Sequence, residues 1–86
     1  MGATNSYFVY VLKSPLKNKY YMGHTDNLES RIQQHQKGLN LATKFALDWE
    51  LIHSEKFESR VSAMKREKFF KTGDGRKVLK LKGIVE

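Results

Sequence analysis

The 86-residue sequence has no cysteine and a single proline. Without cysteine there is neither a disulfide framework nor a cysteine-ligated zinc site, and a reducing compartment is compatible. Three scattered histidines do not replace such a zinc site. No long apolar run exists either: the longest, Tyr7 to Leu12, falls far short of the roughly 20 residues that span a bilayer. Met1 to Ser6 lacks the basic and apolar regions of a signal peptide, so a cytoplasmic protein with no membrane association is expected. The same six residues match a loose myristoylation pattern, and read equally as a frayed terminus. Acid is scarce, with nine Asp and Glu against 16 Lys and Arg, a net charge of +7 and a pI of about 9.8. That balance points to a polyanionic partner, nucleic acid first, because neutralising phosphates releases counterions. The plainer explanation is a small basic protein whose lysines only solvate its surface.

What is present suits one globular domain over residues 1–86. The apolar fraction is 40%, with ten aromatic residues, too high for a disordered chain. A domain this small buries only about 60% of its unfolded surface, which leaves no material for a second core. No repeat, linker or low-complexity tract interrupts it.

Tyr7 to Lys13 is a β-branched and aromatic run. Ser14-Pro15 and Asn18-Lys19 carry turn chemistry, and Tyr20 to His24 forms a second short strand closed by Gly23, so the pair predicts a hairpin. Asp26 followed by Glu29 fits a capping box, which predicts a helix from near Asn27 through Gln36 that stops at Gly38. At about 100° per residue, Leu28, Ile32 and Leu39 lie within about 40° of one another, with His35 among them and Arg31 at the edge. A core-facing stripe does not ordinarily recruit an imidazole and a guanidinium. Residues 38–48 read as a loop with Thr43-Lys44 as its polar centre, and Trp49 to Phe57 as a third strand. Ser59 is a suitable N-cap for a second helix ending at Gly73, with Ala63, Met64, Glu67 and Phe70 at helical spacing. Glu67 is the one acid in the body of that basic helix, and an unpaired buried carboxylate is expensive. Asp74-Gly75 reads as a turn and Arg76 to Lys82 as a last amphipathic helix.

The polar residues that break apolar faces are therefore Tyr10, Tyr21, Arg31, His35 and Glu67. A phenol, a guanidinium, an imidazole and one carboxylate are the groups that hydrolyse a phosphodiester with one divalent metal. Each has a plainer role available. Both tyrosines could be ordinary strand aromatics, and His35 a neutral core histidine. Arg31 could pair with Glu67 or Glu29, and Lys65 to Lys68 could be a solvated helix face.

Phe8-Val9-Tyr10 and Tyr21-Met22-Gly23, followed by TDNLESRIQQH and SRVSAMKRE, resemble the GIY-YIG nuclease domain in its small stand-alone form, over nearly the whole chain. The tripeptides alone are weak signals. Their spacing, Arg31 and His35 one helical turn apart, and a glutamate in the second helix make the combination specific. The resemblance implies an α+β fold, a three-stranded antiparallel sheet flanked by helices in the order β-β-α-β-α-α. It implies a DNA endonuclease using Mg²⁺ or Mn²⁺, with broad or structure-directed specificity and a link to DNA repair or processing.

Carried over by position, Tyr10 and Tyr21 are the tyrosines of the two tripeptides, Arg31 the helix arginine, His35 the histidine after it, and Glu67 the metal-binding glutamate. One carboxylate suits Mg²⁺, which keeps most of its waters. Tyr10 would be general base for the attacking water if nearby cations favoured its phenolate. Arg31 would hold the scissile phosphate, and Tyr21 and His35 would position water and phosphate. Lys44 and Lys77 are candidates for phosphate-backbone contact, and Gly23 for close backbone approach or the turn out of the strand. No appended DNA-binding module is expected, so a protein partner supplying target choice is. A non-catalytic nucleic-acid-binding module and an incidental basic scaffold are the rival readings.

Overall fold

In the computed structural model, which describes residues 6–86, two antiparallel strands pack on either side of a central one. The strands are β1 (Tyr7–Ser14), β2 (Lys19–Thr25) and β3 (Glu50–Phe57), in sheet order β2-β1-β3. The helices are α1 (Leu28–Gln36), α2 (Arg60–Phe70) and α3 (Gly73–Leu81). The architecture is α+β in the expected order β-β-α-β-α-α. Residues 1–5 of the segment expected to fray, together with the myristoylation pattern, lie outside the described residues.

β1 is the middle strand because it is the one strand apolar on both faces. Its alternation splits the core in two. Val9 and Val11 point to one face, where Met22, Ala63, Phe70, Leu79 and Val85 join them. Tyr10 and Leu12 point to the other, with Ala46 and Trp49, edged by Tyr21, Leu28 and Ile32. Helices α2 and α3 thus cover one face, and α1 with the loop that follows it covers the other. Full burial of Phe70 or Leu79 contributes about 1.5–3 kcal/mol each, and both are at 0% exposure. A bulge between Val11 and Leu12 shifts β3 by one residue, so that Val11 pairs with His53 but Leu12 with Leu51.

Several boundaries differ from the sequence expectation, each for a local reason. The first helix is capped by Asn27, whose side chain accepts from the Ser30 N–H at 3.1 Å, not by a box of Asp26 and Glu29. Asp26 is exposed and faces Arg60 at 3.6 Å instead. Gly38 stops this helix as expected, at φ +73°, but Leu39 lies past it and is exposed. Gly23 does not close β2, which continues to Thr25.

Ser59 caps α2 as expected, accepting from Ser62 at 3.1 Å, yet the helix ends at Phe70 because Thr72 caps a new one. The Asp74-Gly75 pair is therefore the first turn of α3, not a free turn. Nor is the whole 65–68 stretch a solvated face. Arg66 lies over the Phe69 and Phe70 rings at 5.1 and 4.4 Å and donates to Glu55 from Nε at 2.8 Å.

Gly75 lets α3 dock: a Cβ there would sit 1.8 Å from the Phe69 carbonyl oxygen, which belongs to backbone and cannot rotate away. Gly75→Ala is expected to destabilise the fold by about 1–3 kcal/mol, the usual cost of overpacking. Urea unfolding followed by circular dichroism measures this, and an unchanged midpoint would show that the α2–α3 junction yields freely.

Candidate active site

Tyr10 sits at the centre of the sheet, and the register places it directly opposite Gly23 of β2. A Cβ on Gly23 would meet the Tyr10 hydroxyl at 2.6 Å and its ring carbon Cζ at 2.8 Å. Of the two backbone roles expected for Gly23, close approach is the one it plays: the phenol lies across the glycine. Its hydroxyl reaches His35 Nε2 at 3.0 Å. The other ring nitrogen of His35, Nδ1, meets Thr43 Oγ1 at 2.6 Å. Tyr10, His35 and Thr43 thus form one buried hydrogen-bonded chain, and both imidazole tautomers satisfy it, with the protons running in opposite directions.

Tyr21 shares this face. Its ring centroid is 4.9 Å from that of His35 and 6.3 Å from that of Tyr10. Tyr10 is 1% exposed and His35 0%, whereas Tyr21 and Arg31 are half-buried and open the group to solvent. A histidine without exposure does not touch a phosphate directly, so the placement of His35 suits action through Tyr10.

Thr43 connects the site to a loop whose function was not legible in the sequence. Its backbone carbonyl accepts from Trp49 Nε1 at 3.0 Å, and its N–H donates to the Asn40 carbonyl. Gln36 ties in the Trp49 carbonyl at 3.0 Å. A buried threonine between exposed neighbours is a signal that only burial reveals.

Glu67 approaches from the opposite face. His24 pairs with Val9 across β1 and β2 and so projects toward α2, where its Nδ1 lies 2.6 Å from Glu67 Oε1. Lys71 donates to Oε2 at 2.6 Å. The lone acid of α2 therefore has two partners, neither of them Arg31, and among the described residues Arg31 makes no ion pair. His24 was missed by sequence reasoning. Its position beside Gly23, on the strand face opposite the tyrosines, was the available clue.

The electrostatics join the two halves. Burial pushes the Tyr10 phenol above its ordinary range, Tyr21 and Glu67 push the same way, and Arg31 opposes them. Burial, reinforced by Arg31, lowers His35 below its usual value, so the imidazole is neutral at pH 7. For Glu67, burial opposes ionisation, but hydrogen bonds from Lys71 and His24 outweigh it and hold the carboxyl below the usual range. The carboxylate is thus ionised and retains free lone pairs, since each oxygen has about two. A Mg²⁺ or Mn²⁺ ion fits it chemically. Among the described residues no cluster of three His, Cys, Asp or Glu could hold a metal, so such an ion would rest on Glu67, water and phosphate.

Lys44 is exposed next to Thr43, at the margin of this group. Lys77 is exposed on α3, and no hydrogen bond or ion pair among the described residues links it to the site.

The family profile described as the GIY-YIG catalytic domain matches residues 6–79. A UPF0213 protein of Listeria welshimeri is 40% identical over 72 residues, 83% of this chain and 79% of its own. The UPF0213 protein YazA of Bacillus subtilis is 38% identical over 69 residues, 79% of this chain and 69% of its own. The solution structure of a UPF0213 protein from Bacillus halodurans superposes with a TM-score of 0.56 at 26% identity, covering 92% of this chain and 84% of that one. With the two tyrosines, the helix arginine and histidine, and the α2 glutamate in the places described, the chain belongs to the GIY-YIG family, among its small UPF0213 proteins.

Proposed function

We propose that this protein is a divalent-metal-dependent endonuclease that hydrolyses DNA phosphodiester bonds, with broad or structure-directed specificity suited to DNA repair or processing. The observation that carries this reading is the buried Tyr10–His35–Thr43 chain, with Arg31, which makes no ion pair among the described residues, at hydrogen-bonding range of the phenol and the Glu67 carboxylate near enough to act on it. Arg31 is the cation available to a scissile phosphate, and its planar fork of donors suits the charge that builds there.

Tyr10 is protonated in the resting protein, so it is no base as it stands. The neutral imidazole beside it supplies the remedy. His35 Nε2 takes the phenol proton, the phenolate oxygen takes a proton from the attacking water, and Arg31 favours the anion while it lasts. For Nε2 to take that proton the ring proton sits on Nδ1, where it is donated to Thr43 Oγ1, which fixes the ring. Tyr21 packs against both rings and limits the paths by which water enters. When bound at Glu67, Mg²⁺ or Mn²⁺ would supply neutralisation of the charge on the phosphate and leaving oxygen. His24 fixes the carboxylate that would hold the ion. DNA is preferred to RNA as substrate, and a protein partner that supplies target choice suits so small a surface.

A second reading has an observation of its own. Tyr10 and His35 are covered and Glu67 is already engaged by His24 and Lys71, which is also what a non-catalytic nucleic-acid-binding module would look like.

Incubation with supercoiled plasmid and branched DNA in Mg²⁺ or Mn²⁺ separates the two. Nicking is expected from the parent protein. It should fall about 10²- to 10⁴-fold in Tyr10→Phe, the range for losing a general base, and by at least about 10²-fold in Glu67→Ala. DNA affinity should survive in both. Cutting that persists in Glu67→Ala belongs to another site or a contaminant, and binding without cutting by any of the three proteins favours the binding module.

Gly23→Ala is expected to displace the Tyr10 hydroxyl from His35 and to cost activity about as much as Tyr10→Phe. An active Gly23→Ala protein would dissociate the phenol from catalysis.

The pH profile follows from the two shifts. The histidine limb should lie below pH 6.5, because the folded protein holds His35 neutral, and the rate should keep rising through the alkaline range as Tyr10 deprotonates more readily. A bell centred near pH 6 in single-turnover rates would contradict both assignments.

A further inference from the structure

The loop between α1 and β3 carries a feature that the chemistry above does not use. Leu39, Leu41, Phe45 and Leu47 are all exposed on it, and Leu16 of the β1–β2 turn is exposed beside Phe45 and Leu47. Exposed large apolar side chains are ordinary when scattered singly. Gathered on one loop they mark an interaction surface. Residues 44–48 with Leu16 and Lys17 line an open groove of about 600 Å³, a size at which small planar ligands are held. Phe45 is its aromatic wall, 52% exposed, and is braced edge-on by buried Trp49 at 5.7 Å and 78°.

We propose that this groove is a nucleobase subsite, which takes one unpaired base of a substrate strand against Phe45 while Lys44 and Lys17 meet the flanking phosphates. The choice of a nucleic acid rests on the nuclease reading, but the groove argues for it independently by pairing an aromatic wall with cations. Stacking on an aromatic side chain between basic residues is how single strands are held without sequence preference.

The charges are consistent. Lys44 makes no ion pair among the described residues. Asp48 is the one acid in the lining, and its two oxygens are committed to the β1–β2 turn, accepting from Ser14 Oγ at 2.6 Å and from the Leu16 N–H at 2.8 Å. Lys17 lies close enough to feel the Asp48 carboxylate, which leaves Lys44 the stronger anchor.

The position is consistent as well. Thr43, the residue before Lys44, bonds His35 by its side chain and Trp49 by its carbonyl. Ala46, in the groove wall, packs in the same cluster as Tyr10. The groove and the Tyr10 group are therefore tied through one loop on the same face of the sheet, so a strand with a phosphate at Arg31 would be led toward the groove. Substrates with an unpaired base next to the cut would be preferred to an intact duplex.

The test uses Glu67→Ala protein without metal, so that binding is read apart from cutting. Fluorescein-labelled oligothymidylate, a blunt duplex of equal length and heparin are titrated in, by anisotropy and by the emission of Trp49, the sole tryptophan. Single strand is expected to bind more tightly than duplex and to shift the emission. Adding Phe45→Ala should weaken single-strand binding about 5- to 100-fold and leave duplex and heparin unchanged, while Phe45→Tyr should restore it. Lys44→Ala should lower the slope of log affinity on log salt by about 0.7.

Unchanged single-strand affinity in Phe45→Ala overturns the proposal. So does an equal loss toward heparin, which would make the groove a plain polyanion sink. An emission shift that follows protein concentration alone would place a second copy of the chain there instead. If the parent never cuts but Phe45-dependent binding holds, the nuclease reading falls and the subsite stands.

Discussion

One contact organises the molecule: the Tyr10 phenol laid across Gly23 and ending on His35. It asks for a strand with neighbours on both sides, since only a central position covers the ring. It asks for a residue without Cβ on the adjacent strand, and for a helix over that face with a histidine in its last turn. The antiparallel order β2-β1-β3 and the placement of α1 meet those requirements together. The loop after α1 is drawn in for the same reason, because Nδ1 of a buried imidazole needs a partner and Thr43 provides it. The residue at the middle of the hydrophobic core is thereby a polar one with every hydrogen bond made, and no buried side-chain polar atom among the described residues lacks a partner.

The opposite face is held by charge. Glu55 lies between His53 and Arg66, and Glu67 between His24 and Lys71, so both of these acids are held by two nitrogen groups. In a chain with a net charge of +7, carboxylates are the scarce partner. For Glu55 the arrangement clamps β3 to α2 through Arg66, and that is a structural use. For Glu67 it leaves an ionised group beside β2 whose charge adds to burial in holding the Tyr10 phenol protonated.

The sequence made the topology legible because each element carried its own pattern. The aromatic run of β1, the turn residues around Pro15, and caps at Gly38 and Ser59 needed no tertiary information. Where it misled, a neighbour in space had intervened. Gly73 and Asp74-Gly75 look like a stop and a turn, yet Thr72 caps a helix through them and Gly75 is small because the Phe69 carbonyl lies against it. Asp26 looked like the cap that Asn27 became. Tyr10, Tyr21, Arg31, His35 and Glu67 stood out because polar groups on apolar faces are conspicuous, but their connections did not. His24, Thr43 and the Phe45 groove depend on which residues meet across strands and loops 30 or more positions apart in some cases and adjacent in others. Nothing in local spacing encodes that.

The energetics bear on why such a core would persist. A phenol, an imidazole and a hydroxyl buried together cost desolvation that a leucine in each place would avoid, and their mutual hydrogen bonds at best recover it. Replacement by apolar residues of similar shape is the simpler route to a stable sheet. Natural sequences depart from that route mainly where a site requires it. The departure here is concentrated in one connected chain, Tyr10 to His35 to Thr43, with the neutral imidazole in the middle. With the ring proton on Nδ1, Nε2 is an acceptor beside a phenol that burial holds protonated, and a proton could then move along the chain without any group leaving its place.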